Sequence, residues 1–581
     1  MKLPMLSALP ITRELIDVFG GYNHNLRIGA GEFYDMTNLT SADYPVLSPR
    51  GKRGVYASPD AVHGMIEKDA LCYVDGGDFI INDYRVAMGL SEAEEDNPKT
   101  LISMGAYVII MPDKKYINTA DLSDYGAIEA TVNTTAAVTF ELCKADGESY
   151  DNIAIQETAP EDPENMDLWI DTSDIPHTLK QYSSNSSMWV AIATTYIKIS
   201  SPGLGAPFAV GDGVTISGIE SEALADLNNT MIVWDRGDDY IVVTGILDRV
   251  TTQEAAISVS RRMPNMDFVI ESENRLWGCR YGTDISGNVV NEIYASKLGD
   301  FKNWNCFMGI STDSYAVTVG TDGQFTGAIT HLGYPLFFKE GFVHKIYGNY
   351  PANYQIQTTA CRGVQKGCSG SLAIVNEILY YKARSAVCAY DGSLPVEMSS
   401  ALGDVTYSDA VAGTIGNKYY ISMKDAAGVF HLFVYDTAKG MWHREDNLQA
   451  VEFCTCRGEL YFIDAADGRI KTILGSGTVD KTPVKWMAET GVIGLSSPDK
   501  KYISRIDVRM SLDIDASVDL YVQYNSVGEW EHLFNMMGVS LQSFTVPIRP
   551  RRCDHLKLRI EGEGMAKIYS ICKSMEQGSN V

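Results

Sequence analysis

The sequence predicts an all-β protein: a β-propeller of six or seven blades with a small β-domain inserted into it and a β-sandwich at the C-terminal end. Three observations predict it. Short β-branched or aromatic runs bounded by Gly, Asp or Asn recur over most of the 581 residues. Long amphipathic helical stretches are absent, and several of the runs share one grammar of strand, tight turn and aromatic-rich strand. Repeated four-stranded sheets of this kind bury both faces only by stacking radially on one another, which is how a propeller is built.

Taken in order, residues 1–126 read as an N-terminal segment followed by the first blades, with a hairpin from Ala70 to Tyr84 turning at Asp75-Gly76-Gly77-Asp78. From 127 to 263 the rhythm changes. An acidic, Pro-containing loop from Glu157 to Asp167 precedes a compact strand series, in which Phe208 to Gly218 pairs with Asn228 to Trp234 and Tyr240 to Gly245 adds a third strand. This reads as a small β-domain in a blade loop, where insertions are tolerated. Residues 264–477 return to blade grammar, clearest from Phe268 to Ser296 with its Glu273-Asn274 turn. Further cells turn at Asn376-Glu377, at Asp425 to Gly428 and at Arg457-Gly458-Glu459. After Gly475-Ser476-Gly477 the alternation lengthens at Ser504 to Leu512, Ser517 to Tyr524, Ser543 to Ile548 and His555 to Ile560, so 478–581 reads as a separate sandwich of half-buried antiparallel strands.

Composition limits the function. Hydrophobic residues at 45% and charged residues at 21%, with 51 Gly and 20 Pro, describe a folded, turn-rich chain. A formal charge of −26 excludes a surface that grips phosphates broadly, and with it sequence-specific nucleic-acid binding. Two prolines and a serine break the apolar opening Met1 to Pro10, against a signal peptide, and no run reaches the ~20 apolar residues that membrane insertion requires. Eleven scattered cysteines fit reduced thiols in a chain made in a bacterial cytoplasm.

Little in the sequence carries chemistry. Cys361 with Cys368, and Cys454 with Cys456, lack the paired-knuckle spacing of structural zinc, and alternation puts Cys454 and Cys456 on one strand face for packing. Gly29-Ala30-Gly31 has no strand before it or helix after it, so turn geometry explains it better than a dinucleotide fingerprint. His24, His63, His177, His331, His344, His431, His443, His532 and His555 share no ligand spacing. Glu92, Glu94, Glu95 and Asp96 form a charge run without the glycine-centred loop of a calcium site. The basic stretch Arg549-Pro550-Arg551-Arg552-Cys553-Asp554-His555 reads equally as a dock for an acidic neighbour or as a solvated loop. No catalytic residue, cofactor or metal site is expected, and the abundant aromatics are expected mainly in cores.

Phe33-Tyr34-Asp35-Met36-Thr37-Asn38-Leu39 with Tyr44 to Arg50, then Leu298 to Trp304, and finally Arg551 to Arg559, resemble segments of the phage proteins described as DNA-stabilisation or tail accessory proteins. The resemblance spans the chain apart from the insert. It implies a bacteriophage virion protein in the neck or tail, such as a head-tail connector, tail hub or head-closure factor. It also implies a symmetric oligomer around the DNA exit channel, touching portal, head-completion and tail proteins. On this reading the chain is no enzyme, and the mechanism is association. The alternative is a tail-associated glycan-binding or glycan-degrading receptor-interaction protein that touches the host surface and gathers carboxylates at the propeller mouth.

Overall fold

The computed structural model describes residues 11–92, 98–284, 287–495, 500–538, 540–549 and 551–577. Apart from four short 3-10 turns, its regular structure is β, and no helix among the described residues is long and apolar enough to cross a membrane. Seven antiparallel four-stranded meanders form the propeller. Their innermost strands are Val62–Lys68, Thr100–Met104, Phe268–Ser272, Gly327–His331, Ala373–Val375, Tyr407–Ile415 and Ala450–Cys456, for blades 1 to 7. Each innermost strand packs on the next. Between blades 4 and 5 the turn Ser369–Ser371 completes the contact, and Ala450–Cys456 packs back on Val62–Lys68, so the ring is closed.

The expectation of six or seven blades resolves to seven. Tight turns make the blades regular: Glu273 and Asn274, and Asn376 and Glu377, both take positive φ, as a two-residue turn matched to strand twist requires. Between Leu332 and Gly333, and between Arg457 and Gly458, the same job falls to a residue and a glycine.

Blade 7 supplies only three of its own strands. The fourth is Gly54–Ala57, from the N-terminal part of the chain, which pairs antiparallel with Ile470–Thr472. This closure ties the ring shut and removes the strand edges that would otherwise pair at random. A methyl group at Gly54 would lie 2.0 Å from the Ser476 carbonyl oxygen. Gly54→Ala therefore forces the closing strand out of register. We expect it to lower the unfolding midpoint and to expose the 54–57 segment to limited proteolysis.

Next to that strand, Arg53 is clamped between Glu445 and Asp446 at 2.8 Å each, and Arg50 reaches Asp446 at 3.2 Å. Burial works against the Arg53 charge, but Asp446 and Glu445 outweigh it and hold the guanidinium protonated.

The C-terminal body is a two-sheet sandwich. One sheet runs Ile11–Ile16, Ala566–Gln577, Lys501–Leu512, Gln542–Val546. The other contains Lys485–Thr490, Leu556–Glu563, Ser517–Tyr524 and Glu531–Met537. Ile506, Val508, Met510, Val518, Leu520, Leu558, Ile560 and Ile568 are buried in its core. The second sheet does not stop there. Through Glu32–Thr37 and Gly21–Tyr22 it continues onto Met441–Arg444, the outer strand of blade 6, in one ten-stranded sheet. Propeller and sandwich therefore share backbone hydrogen bonds and a common core, which also takes in side chains of blades 4 to 6.

The chain between blades 2 and 3 folds separately. Ala130–Asn133, Ser258–Arg261, Gly213–Ser217 and Thr230–Ile232 form one sheet. Facing it is a five-stranded sheet that includes Val138–Cys143, Tyr196–Ser200 and Tyr240–Thr244, around a core with Phe140, Ile199, Val214, Ile241 and Val259. Tyr240–Thr244 thus lies in the opposed sheet and not beside Gly213–Ser217. A third sheet, from Ile153–Gln156 to Met188–Ala191, sits on the outside.

The insert is fastened to blade 3 by buried polar contacts. Arg261 pairs with Asp212, whose other oxygen accepts from Asn303 Nδ2 at 2.8 Å, while Gly213 N donates to Asn303 Oδ1 at 2.9 Å. The Leu298 to Trp304 stretch thus has a structural role as the bracket for the insert. Asn303→Ala leaves a buried carboxylate short of a donor. We expect faster amide exchange at Asp212, Gly213 and Arg261, with protection in blades 5 to 7 unchanged.

Candidate functional site on the propeller axis

Three neighbouring innermost strands carry β-bulges. The ladder shifts between His63 and Met65 in blade 1, between Ser408 and Val411 in blade 6, and between Ala450 and Glu452 in blade 7. A bulge bends a strand and re-aims one residue, and such features gather beside functional sites. In blade 1 the bulge depends on Gly64, at φ +74°. It turns the Met65 N–H towards the adjacent blade, where it donates to Glu452 Oε2 at 2.8 Å.

Glu452 therefore stands at the seam where the ring closes, on an innermost strand, half-buried and ringed by protein. Burial pushes its carboxyl from the usual range up to about 8, with the Met65 N–H pulling the other way. With Oε2 engaged by that N–H, Oε1 is the oxygen that carries the proton. The group is a carboxylic acid at neutral pH, and chemically it is a proton donor. Nearby, Cys454 is pushed well above its ordinary range, first by burial and then by Glu452. It is therefore held as a thiol and is no nucleophile. His63, three residues before Ile66 on the facing strand, has its pKa lowered by burial and by Lys99, which keeps it neutral.

The other sequence candidates are dispersed. Cys454 and Cys456 pack with Met65, Leu71, Ile463 and Ile470 between blades 7 and 1. Cys361 and Cys368 are free thiols, and Ala410 N donates to Cys368 Sγ at 3.4 Å. Gly31 takes φ +87°, and a Cβ there would meet the Val18 carbonyl at 2.1 Å, so this glycine serves a close backbone approach.

The histidines sit apart. His24 stacks on Tyr34, and buried His331 bonds the Glu377 carbonyl. His344 lies between Thr321 and Thr358, and buried His443 is pushed down to about 3. His431, His532 and His555 bond Asp425, Asp519 and Asp554. Among the described residues no three His, Cys, Asp or Glu side chains are grouped as a metal site would need. Glu94, Glu95 and Asp96 lie outside the described residues, as does Pro550. In the basic stretch Arg551 pairs with Glu531 at 2.6 Å and covers the Tyr524 ring. Sequence reasoning missed Glu452, because nothing local distinguishes it from any other strand glutamate; only the neighbouring blade raises its pKa.

No protein-family model matches the chain, and no curated protein matches it in sequence. Solved structures do. An exo-beta-1,3-galactanase from Phanerochaete chrysosporium aligns at 9% identity and a TM-score of 0.20 over 52% of this chain and 94% of its own. A GH43 glycoside hydrolase with an engineered active site aligns at 10% identity and 0.20 over 53% and 97%. A Trypanosoma rangeli sialidase aligns at 8% identity and 0.21 over 96% of both chains. The likeness is one of all-β propeller architecture. These neighbours are glycoside hydrolases and a sialidase, where a non-enzymatic structural component and no enzyme were expected.

Proposed function

We propose that this chain is a carbohydrate-active β-propeller protein of a phage tail, which takes a bacterial surface glycan at the propeller axis and protonates it from Glu452. The observation that carries this reading is the Glu452 carboxyl, aimed by paired bulges and raised to about 8. In glycoside cleavage the proton on Oε1 passes to the glycosidic oxygen as the bond from that oxygen to the anomeric carbon breaks. Water adds at the carbon, and its proton restores the acid. The tail location is supported by the resemblance of residues 33–50 and 551–559. Parts of these two stretches lie one strand apart in the ten-stranded sheet, where Glu32–Thr37 and Leu556–Glu563 flank Lys485–Thr490.

The test is release of reducing ends from host wall and capsule polysaccharides by purified full-length protein, beside immunogold labelling of phage particles. Release that depends on Glu452 supports the activity. Polysaccharide left intact across the host panel removes it, and the absence of label from particles removes the tail location.

A further inference from the structure

The outer sheet of the insert carries a second arrangement that the axial site does not use. By register, Trp169 lies opposite Lys180, and Tyr182 opposite Trp189, so these four side chains and Asp171 share one face. The opposite face, with Ile153, Leu168, Ile170 and Leu179, packs on Leu142 and Ile246. The aromatic face is thus turned away from the insert's core. Its rings are ordered: Trp169 and Trp189 meet edge to face at 5.4 Å, and Tyr182 lies 5.4 Å from Trp189. Lys180 Nζ sits 4.8 Å over the Trp169 ring and 2.7 Å from Asp171. Trp169 is buried beneath these neighbours, while Tyr182 and Trp189 remain half-exposed.

The segment that carries this face is one-sided in charge. Between residues 151 and 192 stand Asp151, Glu157, Glu161, Asp162, Glu164, Asp167, Asp171 and Asp174, with Lys180 the single Lys or Arg. Such a field repels polyanions and supplies hydrogen-bond acceptors to hydroxyl and ammonium groups. The electron-rich faces of Tyr182 and Trp189 suit the polarised C–H face of a pyranose ring. The Lys180 ammonium already shows how an amino group is received here, over an indole and against a carboxylate.

We infer that the Trp169-Tyr182-Trp189 face is a glycan-binding platform for sugars without anionic groups, neutral or amino-bearing. It is separate from the axial site, and its binding requires no turnover.

The test is titration of the full-length protein with N-acetylchitohexaose, chitosan hexamer, oligogalacturonate and oligolysine, followed by tryptophan emission and calorimetry. The expected result is saturable binding of at least one of the two chito-oligosaccharides and none of oligogalacturonate. Trp189→Ala and Tyr182→Ala should each weaken that binding at least about tenfold. Trp189→Phe should preserve most of it, as should Val190→Ala on the opposite face. Each variant's unfolding midpoint is recorded, so that loss of fold is not counted as loss of binding. No saturable signal from either sugar overturns the inference. So does unchanged binding in both alanine variants, or capture of oligolysine alone through the same residues. Because binding is read without hydrolysis, failure here leaves the axial proposal standing, and loss of the axial activity leaves this one standing.

Discussion

Glu452→Gln is expected to lower the rate of glycan cleavage by about 10²–10⁴-fold, the usual contribution of a general acid, with little change in KM. The amide keeps the shape and can still accept the Met65 N–H, but it carries no acidic proton. The wild-type pH profile should show a limb that falls as pH rises through about 8, where the carboxyl ionises. That limb should vanish in the variant. A wild-type rate unaffected by the substitution would move the proton donor elsewhere.

The same group makes a stability prediction whose sign is fixed by linkage. Its ordinary value of 4.5 rises to about 8 in the fold, so between those limits the folded chain holds a proton that the unfolded chain has released. Stability should therefore be greatest below pH 4.5 as far as this residue is concerned, fall as pH rises to 8, and then level off. Glu452→Gln should flatten that slope, and comparing urea midpoints of the two proteins across the range reads it directly.

Arg53→Ala is expected to destabilise the protein by up to about 3–5 kcal/mol, because it removes the nearer of the two counter-charges held against Glu445 and Asp446. Glu445 is almost wholly buried and Asp446 largely so, and both sit beside the strand that closes the ring. Arg50, at 3.4 Å from Glu445 and 3.2 Å from Asp446, stays in place but holds both at longer distances than Arg53 does. The loss should concentrate at high pH, where both carboxylates are charged, and shrink when Glu445→Gln and Asp446→Asn accompany the change. Denaturant unfolding of the single and triple variants measures this. A single variant within about 1 kcal/mol of wild type would mean that the clamp is solvated and of surface strength.

The parts of this protein legible in its sequence are those set by neighbours along the chain. Paired positive-φ residues at Glu273-Asn274 and Asn376-Glu377 mark the hairpins, because a two-residue turn is decided locally. Alternation put Cys454 and Cys456 on one face, and they do pack together between blades 7 and 1. The all-β propeller followed from repeating that local grammar.

Tertiary structure alone decided the rest. The four residues Gly54–Ala57 carry no sign that they complete a blade whose other strands lie some 400 residues later in the chain. Ile11–Ile16 likewise finds its partner in Ala566–Gln577 at the far end of the sequence. Glu452 becomes an acid near neutral pH only when Val62–Lys68 packs on its strand, and Trp169, Tyr182 and Trp189 become one surface only when three strands align. Backbone turns depend on adjacent residues, whereas ring closure, desolvation and side-chain clustering depend on distances that no stretch of sequence contains. The sequence by itself therefore determined the strand grammar and the fold class, and the packing of distant strands determined where the chemistry can sit.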